Sequence, residues 1–222
     1  MKKFFMWICV SIVIFLAAGS VFAQETNSEK ASTFVDFRNQ YYASQNGSSQ
    51  YAEALMVWWQ YKALGLVFEE SYANKAHSIC LKPSALLKVG NSLYLLGGLS
   101  TDSNGSDFIQ TGAWYMNDFG KFNVLVDMRN YWSITSQSNG YTDNLFRLMF
   151  PVGKGFSGGI DLAYDHWWSG PSHDWFLIGP RLSYKITDVI GIYGRVSPEW
   201  DIRENNTAKM TMQYRIGLNF KF

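Results

Sequence analysis

Few side chains in this sequence are placed for covalent chemistry. The histidines are His77, His166 and His173. Asp165 directly precedes His166, and a carboxylate that holds an imidazole is the pairing that orients a general base. Neighbouring residues of an extended chain point to opposite faces, so this pair is held apart if the segment is a strand. His77 and Ser78 are adjacent in a polar stretch, without the His-x-Ser spacing of an activated nucleophile. No two histidines carry the spacing of zinc ligands. No metal and no cofactor are therefore expected. His166, next to Trp167 and Trp168, reads as an interfacial residue, and Cys80 reads as inert. Enzymatic activity is not expected.

The side chains that do recur by rule are charged ones, set at every second position against an apolar row. The last fourteen residues show it most clearly. Met210, Met212, Tyr214, Ile216, Leu218, Phe220 and Phe222 alternate with Lys209, Thr211, Gln213, Arg215, Gly217, Asn219 and Lys221. A period of two places one set on each face of a strand. The apolar row is longer than a strand of about 5–6 residues in a soluble sheet provides. It matches the roughly 9–11 residues of a tilted strand that crosses a bilayer with lipid on one side and a wet or charged interior on the other.

The same parity, followed along the chain, collects charges on the inward side. The predicted pore-lining set is Arg38, Arg129, Arg147, Arg181, Arg195, Lys209, Arg215, Asp36, Asp127 and Asp161. Lys82, Lys88, Lys121, Lys185 and Lys221 add basic charge, the last four at turns, and Glu69, Asp165 and Glu199 add acid. Basic groups outnumber acids on this face although the whole chain is close to neutral, with 19 Lys and Arg against 18 Asp and Glu. Rings of Arg and Lys in a low-dielectric wall favour anions. Asp127 and Arg129 are expected to pair across to neighbouring strands. Inward Tyr42, Tyr94, Tyr131, Trp167, Trp175 and Tyr193 offer flat faces or fill space.

These side chains need elements to hold them. Lys2 and Lys3, an apolar run over 4–18, and small residues up to Ala23 read as a secretory leader, residues 1–23. Residues 24–32 are a polar tail. From 33 to 222 the alternation predicts twelve strands: 33–43, 51–61, 64–71, 79–89, 92–100, 107–117, 121–133, 143–150, 156–168, 173–186, 189–200 and 209–222. Facing is ambiguous in the second and sixth, where both sides are apolar. Pro83 predicts an unpaired or bulged position. Connections after odd strands are mostly longer and polar, those after even strands are short, and Tyr41, Tyr61, Trp132, Trp168 and Trp200 fall near strand ends as interface girdles do. The predicted fold is all-β: a transmembrane antiparallel up-and-down β-barrel of about twelve strands, in the bacterial outer membrane of a Gram-negative cell. Past the leader only Cys80 remains, so no internal disulfide is possible. The charge balance gives no sign of nucleic-acid binding.

Two short segments resemble the monomeric oligogalacturonate-specific porin family, which includes sialic-acid channels. Val35-Asp36-Phe37-Arg38 is similar to its charged first strand, and Tyr214 through Phe222 to its closing strand. The resemblance implies passive uptake of acidic oligosaccharides past basic pore side chains, with Arg38 and Arg215 as the positions carried over. The terminal Phe222 also resembles the signal by which outer-membrane barrels are recognised by their assembly machinery. The expected function is a porin-like channel for small anionic solutes such as acidic sugars, with outer-membrane lipid and the assembly machinery as partners. The alternatives are a narrow filled barrel with a structural or adhesive role, and an outer-membrane hydrolase. If the leader is cut as expected, N-terminal sequencing of the membrane-inserted protein will begin at Gln24.

Overall fold

The structure, a computed structural model, describes residues 31–44, 49–74, 78–135, 140–168, 173–203 and 209–222. The leader 1–23, most of the tail and His77 lie outside the described residues. Twelve strands follow in order: β1 (Ser32–Ser44), β2 (Ser49–Tyr61), β3 (Leu64–Ala73), β4 (Ser78–Lys88), β5 (Leu93–Asp102), β6 (Asp107–Phe119), β7 (Phe122–Ser133), β8 (Tyr141–Gly153), β9 (Phe156–Trp167), β10 (His173–Lys185), β11 (Ile190–Arg203) and β12 (Lys209–Lys221). Each pairs antiparallel with its sequence neighbours, and β1 pairs with β12, so the sheet closes into a barrel. All twelve predicted strands are present. Most extend by one to three residues past the predicted ends, because backbone pairing continues where the side-chain alternation has already faded into polar residues.

The closing seam has the register Val35↔Phe220, Phe37↔Leu218 and Tyr41↔Tyr214. On its outer side Val35, Leu55 and Val57 pack with Phe37 and Phe220, and the Phe37 and Phe220 rings meet edge-on at 6.3 Å. Backbone bonds from Thr33 to Phe222 and back tie the two ends of the barrel together. Closure satisfies every strand edge, which a chain in hydrocarbon must do because no water is there to hydrogen-bond an open one.

Connections after the odd strands span four to seven residues, and those after the even strands two to four. Three of them have two residues, and one of these, Lys154-Gly155, has φ of 49° and 83°, the left-handed pair that a tight hairpin demands. Residues 151–153 were expected to turn; instead β8 runs on to Gly153 through a register shift between Pro151 and Gly153. Prolines mark gaps in the ladder. Pro83 is paired to Phe68 of β3, but the β4–β5 ladder passes from Leu81↔Thr101 to Ser84↔Gly98. The β10–β11 ladder likewise passes from Leu177↔Glu199 to Arg181↔Arg195, skipping Pro180. A residue without an N–H cannot donate on the side it faces.

The barrel is apolar outside and polar within. Leu64, Leu66, Leu95, Leu99, Ile109, Met128, Phe146, Ile160, Leu182, Val196, Ile216 and Leu218 are all exposed on the outer face. Asp36, Ser84, Gln110, Arg129, Asp161, Arg181, Arg195, Ser197 and Gln213 are buried on the inner one. Aromatic rings crowd both ends of the outer face. Tyr41 and Tyr214, Trp132 and Trp168, and Phe176 and Trp200 pair at the loop end. Phe122 and Phe150, and Phe156 and Tyr184, pair at the turn end. An exposed apolar band between two aromatic girdles is a surface suited to hydrocarbon and its interfaces, not to water.

Inside, small residues make room for large neighbours. A Cβ added at Gly217 on β12 would land inside the ring of Tyr193 on β11, whose hydroxyl donates to Asp36 at 3.1 Å. Replacing Gly217 with Val therefore displaces a buried ring. We expect this substitution to cost about 2 kcal/mol, read as a lower urea midpoint of tryptophan fluorescence in micelles.

Candidate functional site: the barrel lumen

The register decides which side chains share the interior. Each of the ten predicted pore-lining residues lies on the inner face of its strand. Asp36 and Arg38 stand on β1, Asp127 and Arg129 on β7, Arg147 on β8, Asp161 on β9, Arg181 on β10, Arg195 on β11, and Lys209 and Arg215 on β12. Lys209 sits at the loop-end rim opposite Asp201. The ambiguous strands are now resolved. Inward residues are Met56 and Trp58 on β2, and Phe108, Gln110, Trp114 and Met116 on β6. Both faces of these strands are apolar because the outer face meets lipid and the inner face meets an internal core.

That core occupies the turn-end half of the β3–β6 wall. Val67, Leu86, Tyr94, Leu96 and Trp114 are buried together, with Met56, Trp58 and Met116 packed against them. The Trp58 ring meets those of Tyr94 and Trp114 edge-on at 5.8 and 5.7 Å. Sequence reasoning missed this cluster. Its signal was the loss of polar alternation in the second and sixth strands.

The expected basic excess is corrected by the full inner face. Asp143, at the start of the predicted eighth strand, and Asp201, one residue past the predicted end of the eleventh, also point inward, as do Asp102 and Asp118 near strand ends. The charges are close to balance, and the arginines gather on one arc. Arg38, Arg147, Arg181, Arg195 and Arg215 share one arc, β8 to β12 and β1, with Asp36, Asp161 and Glu199. Lys82 and Arg129 share the facing arc, β3 to β7, with Glu69 and Asp127, whereas Asp143 and Asp165 stand on β8 and β9 of the arginine arc itself, toward the loop end.

On the arginine arc, Asp161 has no exposed surface and receives three guanidinium groups. Arg147 donates to both its oxygens at 2.7 and 3.2 Å, Arg195 to Oδ2 at 3.2 Å and Arg181 to Oδ2 at 3.4 Å. Arg181 also lies 3.5 Å over the Tyr193 ring. Arg195 bonds Gln213 as well, whose Nε2 donates to Glu199 at 3.3 Å. One carboxylate cannot neutralise three guanidiniums, so this stretch of wall stays positive. Arg38 pairs with Asp36 at 2.9 Å. Arg215 donates to Gln40 at 2.8 Å and has no carboxylate within ion-pair distance among the described residues.

The facing arc is knitted across the lumen. Arg129 binds Asp127 on its own strand at 2.7 Å and Glu69 of β3 at 2.5 Å. The expectation that Asp127 and Arg129 pair with adjacent strands is thus corrected: two residues apart on one strand, they share a face and meet directly. Lys82 donates to the Tyr131 hydroxyl at 3.1 Å. Toward the loop end Tyr131, Tyr141 and Trp167 stack in a row at 4.3 and 5.4 Å.

The histidine reading holds in one respect and gains a partner in another. Asp165 faces in and His166 faces out. His166 Nδ1 instead lies 2.6 Å from Asp174 Oδ1, which also accepts from Tyr164 at 3.0 Å. This outward-facing cluster sits at the loop-end girdle. The described residues hold no grouping of three or more His, Cys, Asp or Glu suited to a metal ion.

At the turn end the lumen holds a cavity of about 530 Å³. Phe34, Met56, Trp58, Trp114, Leu125 and Leu145 form part of its lining; Arg38, Arg147, Arg215, Asp36, Glu69 and Asp127 form another part. Removing the shared carboxylate from the arginine arc leaves buried like charges together. Asp161→Asn is expected to cost about 3 kcal/mol, measured as a lower denaturant midpoint, and to make the remaining wall more positive.

No family model matches this sequence, and no curated protein does. Solved structures do. A NanC porin structure aligns over 85% of this chain and 100% of its own with a TM-score of 0.58 at 14% identity. A KdgM porin aligns over 85% and 99%, TM-score 0.57, at 15% identity, and the CymD monoaromatic hydrocarbon channel over 86% and 88%, TM-score 0.56, at 8% identity. The chain therefore shares the fold of the NanC and KdgM porins, small twelve-stranded barrels, as its first and last strands led us to expect.

Proposed function

We propose that this protein is an outer-membrane channel through which small polar solutes diffuse, with a preference for anions. The observation that carries the reading is the arginine arc: Arg147, Arg181 and Arg195 share the single buried carboxylate of Asp161 while Arg38 and Arg215 stand beside them. Burying such a surplus of positive charge is costly for a scaffold that serves only to fill a barrel. It becomes useful where an anion passes, since each guanidinium replaces hydration that the solute gives up. Likeness in fold to porins supports the same assignment. The exposed apolar band and its girdles support an outer-membrane location, and the terminal Phe222 supports recognition by the barrel assembly machinery.

Anions here travel along one side of the lumen. Glu69 and Asp127 on the facing arc repel them, so the turn-end half of the path follows the arginines of β8–β12 and β1 rather than the axis. A narrow filled barrel is the second reading, and the internal cluster of Val67, Leu86, Leu96 and Trp114 favours it. Recording single-channel currents in planar bilayers separates the two. Discrete current steps are expected, and a tenfold salt gradient is expected to give a reversal potential of anionic sign. A silent protein would establish the filled barrel, and a cationic reversal potential would refute the role of the arginine arc. Replacing Arg215 with Gln is expected to lower anion preference measurably, because no carboxylate offsets that charge.

A further inference from the structure

The turn-end cavity has two chemically opposed sides. Against one lie the indoles of Trp58 and Trp114 with Met56 and Met116, continuous with the buried cluster behind them. Against the other lie Arg38, Arg147 and Arg215, with Asp36 paired to Arg38, while Glu69 and Asp127 on the lining are taken up by Arg129. Fully hydroxylated solutes find no hydrogen-bond partners on the aliphatic and thioether part of this wall, whereas an aryl ring is matched to all of it. Two buried donors on the cavity's lining also lack any protein acceptor: the indole N–H of Trp114, a residue 4% exposed, and Nε of Arg215. Unmet donors of this kind beside an apolar surface form the pattern of a site for a small amphipathic ligand.

We propose that this cavity binds an amphipathic carboxylate, an aryl-substituted acid whose ring lies against Trp58, Trp114, Met56 and Met116 and whose carboxylate meets Arg38 and Arg215. This rests on the reading of the barrel as an anion channel and names the class of anion. A volume of about 530 Å³ lies within the roughly 300–1,000 Å³ of small-molecule sites. Arg129 lies 5.1 Å over the Trp114 ring and is itself held by Glu69 and Asp127, so the indole is fixed before a ligand arrives. Arg215 lies within electrostatic reach of Arg38 and Arg195, and an entering carboxylate relieves that repulsion.

The test compares three probes in planar bilayers: 3-phenylpropionate, galacturonate of equal charge, and neutral 3-phenylpropionamide. The aryl acid is expected to halve the current at about one-tenth the concentration galacturonate needs, the least that burying a ring against two indoles provides. The amide is expected to block far less. Arg215→Gln is expected to abolish the advantage of acid over amide, and Trp58→Leu the advantage of aryl acid over sugar acid. Heat-modifiable gel mobility confirms that each variant is folded. Current steps with galacturonate blocking as well as the aryl acid, or the amide matching it, would overturn the site and leave the channel standing. If no current appears the channel reading fails, and quenching of tryptophan fluorescence by the aryl acid in micelles then decides the site alone. Absence of saturable quenching would overturn it.

Discussion

The pairing of β1 with β12 is the constraint on which the rest depends. A strand in hydrocarbon has no water with which to satisfy an unpaired edge, so a sheet in that environment must return to its own beginning. Closure leaves each strand one face to lipid and one to the interior. The exposed leucines and isoleucines and the buried arginines and aspartates are consequences of that single condition. In an open sheet the same side chains would present a large apolar surface to water, a liability for association.

Closure also makes the interior a shared space. Residues from β3 and β7 meet as Glu69 and Arg129, and residues from β8 to β11 meet on Asp161. Apart from Arg147 and Asp161, which face each other in the β8–β9 ladder, these contacts have no counterpart in strand pairing. They arise because a ring of twelve strands is narrow enough for long side chains to reach past their neighbours or across the lumen. The internal apolar cluster narrows it further on one side, which confines the charged passage to the other. The clustering of arginine is thus linked to packing, since the side filled by indoles and leucines leaves the remaining volume to arginine.

The guanidiniums owe their number to what they face. Three on one carboxylate leave positive charge unspent, and a low-dielectric wall does not screen it as water would. The Arg181 contact with Tyr193 and the Arg195 contact with Gln213 satisfy part of each group by hydrogen bonding and ring contact instead of by counter-charge. Such groups are held in place without being neutralised, a condition suited to a solute that arrives and leaves.

Strand count, strand order and the facing of most residues were legible in the chain because alternation is a local property: Arg147 faces in because Phe146 and Leu148 face out. The inward positions of all ten predicted lining residues follow from that rule, as does the separation of Asp165 from His166. Where alternation fails, so did the reading. Trp58 and Trp114 occur in stretches apolar on both sides, and nothing local says that one side is an internal core. Asp201 lay beyond a predicted strand end, and Asp143 stood at the very start of one, where facing is weakly marked. The partners of charged residues were illegible for a different reason. Asp127 meets Arg129, Glu69 reaches Arg129 across four strands, and His166 meets Asp174 on the next strand. Sequence alone settled which residues are inside, because period two is written into neighbouring positions. Which of them touch, and that five arginines gather on one arc, was decided by tertiary structure, because distance across a closed ring depends on its register and circumference, which no local pattern encodes.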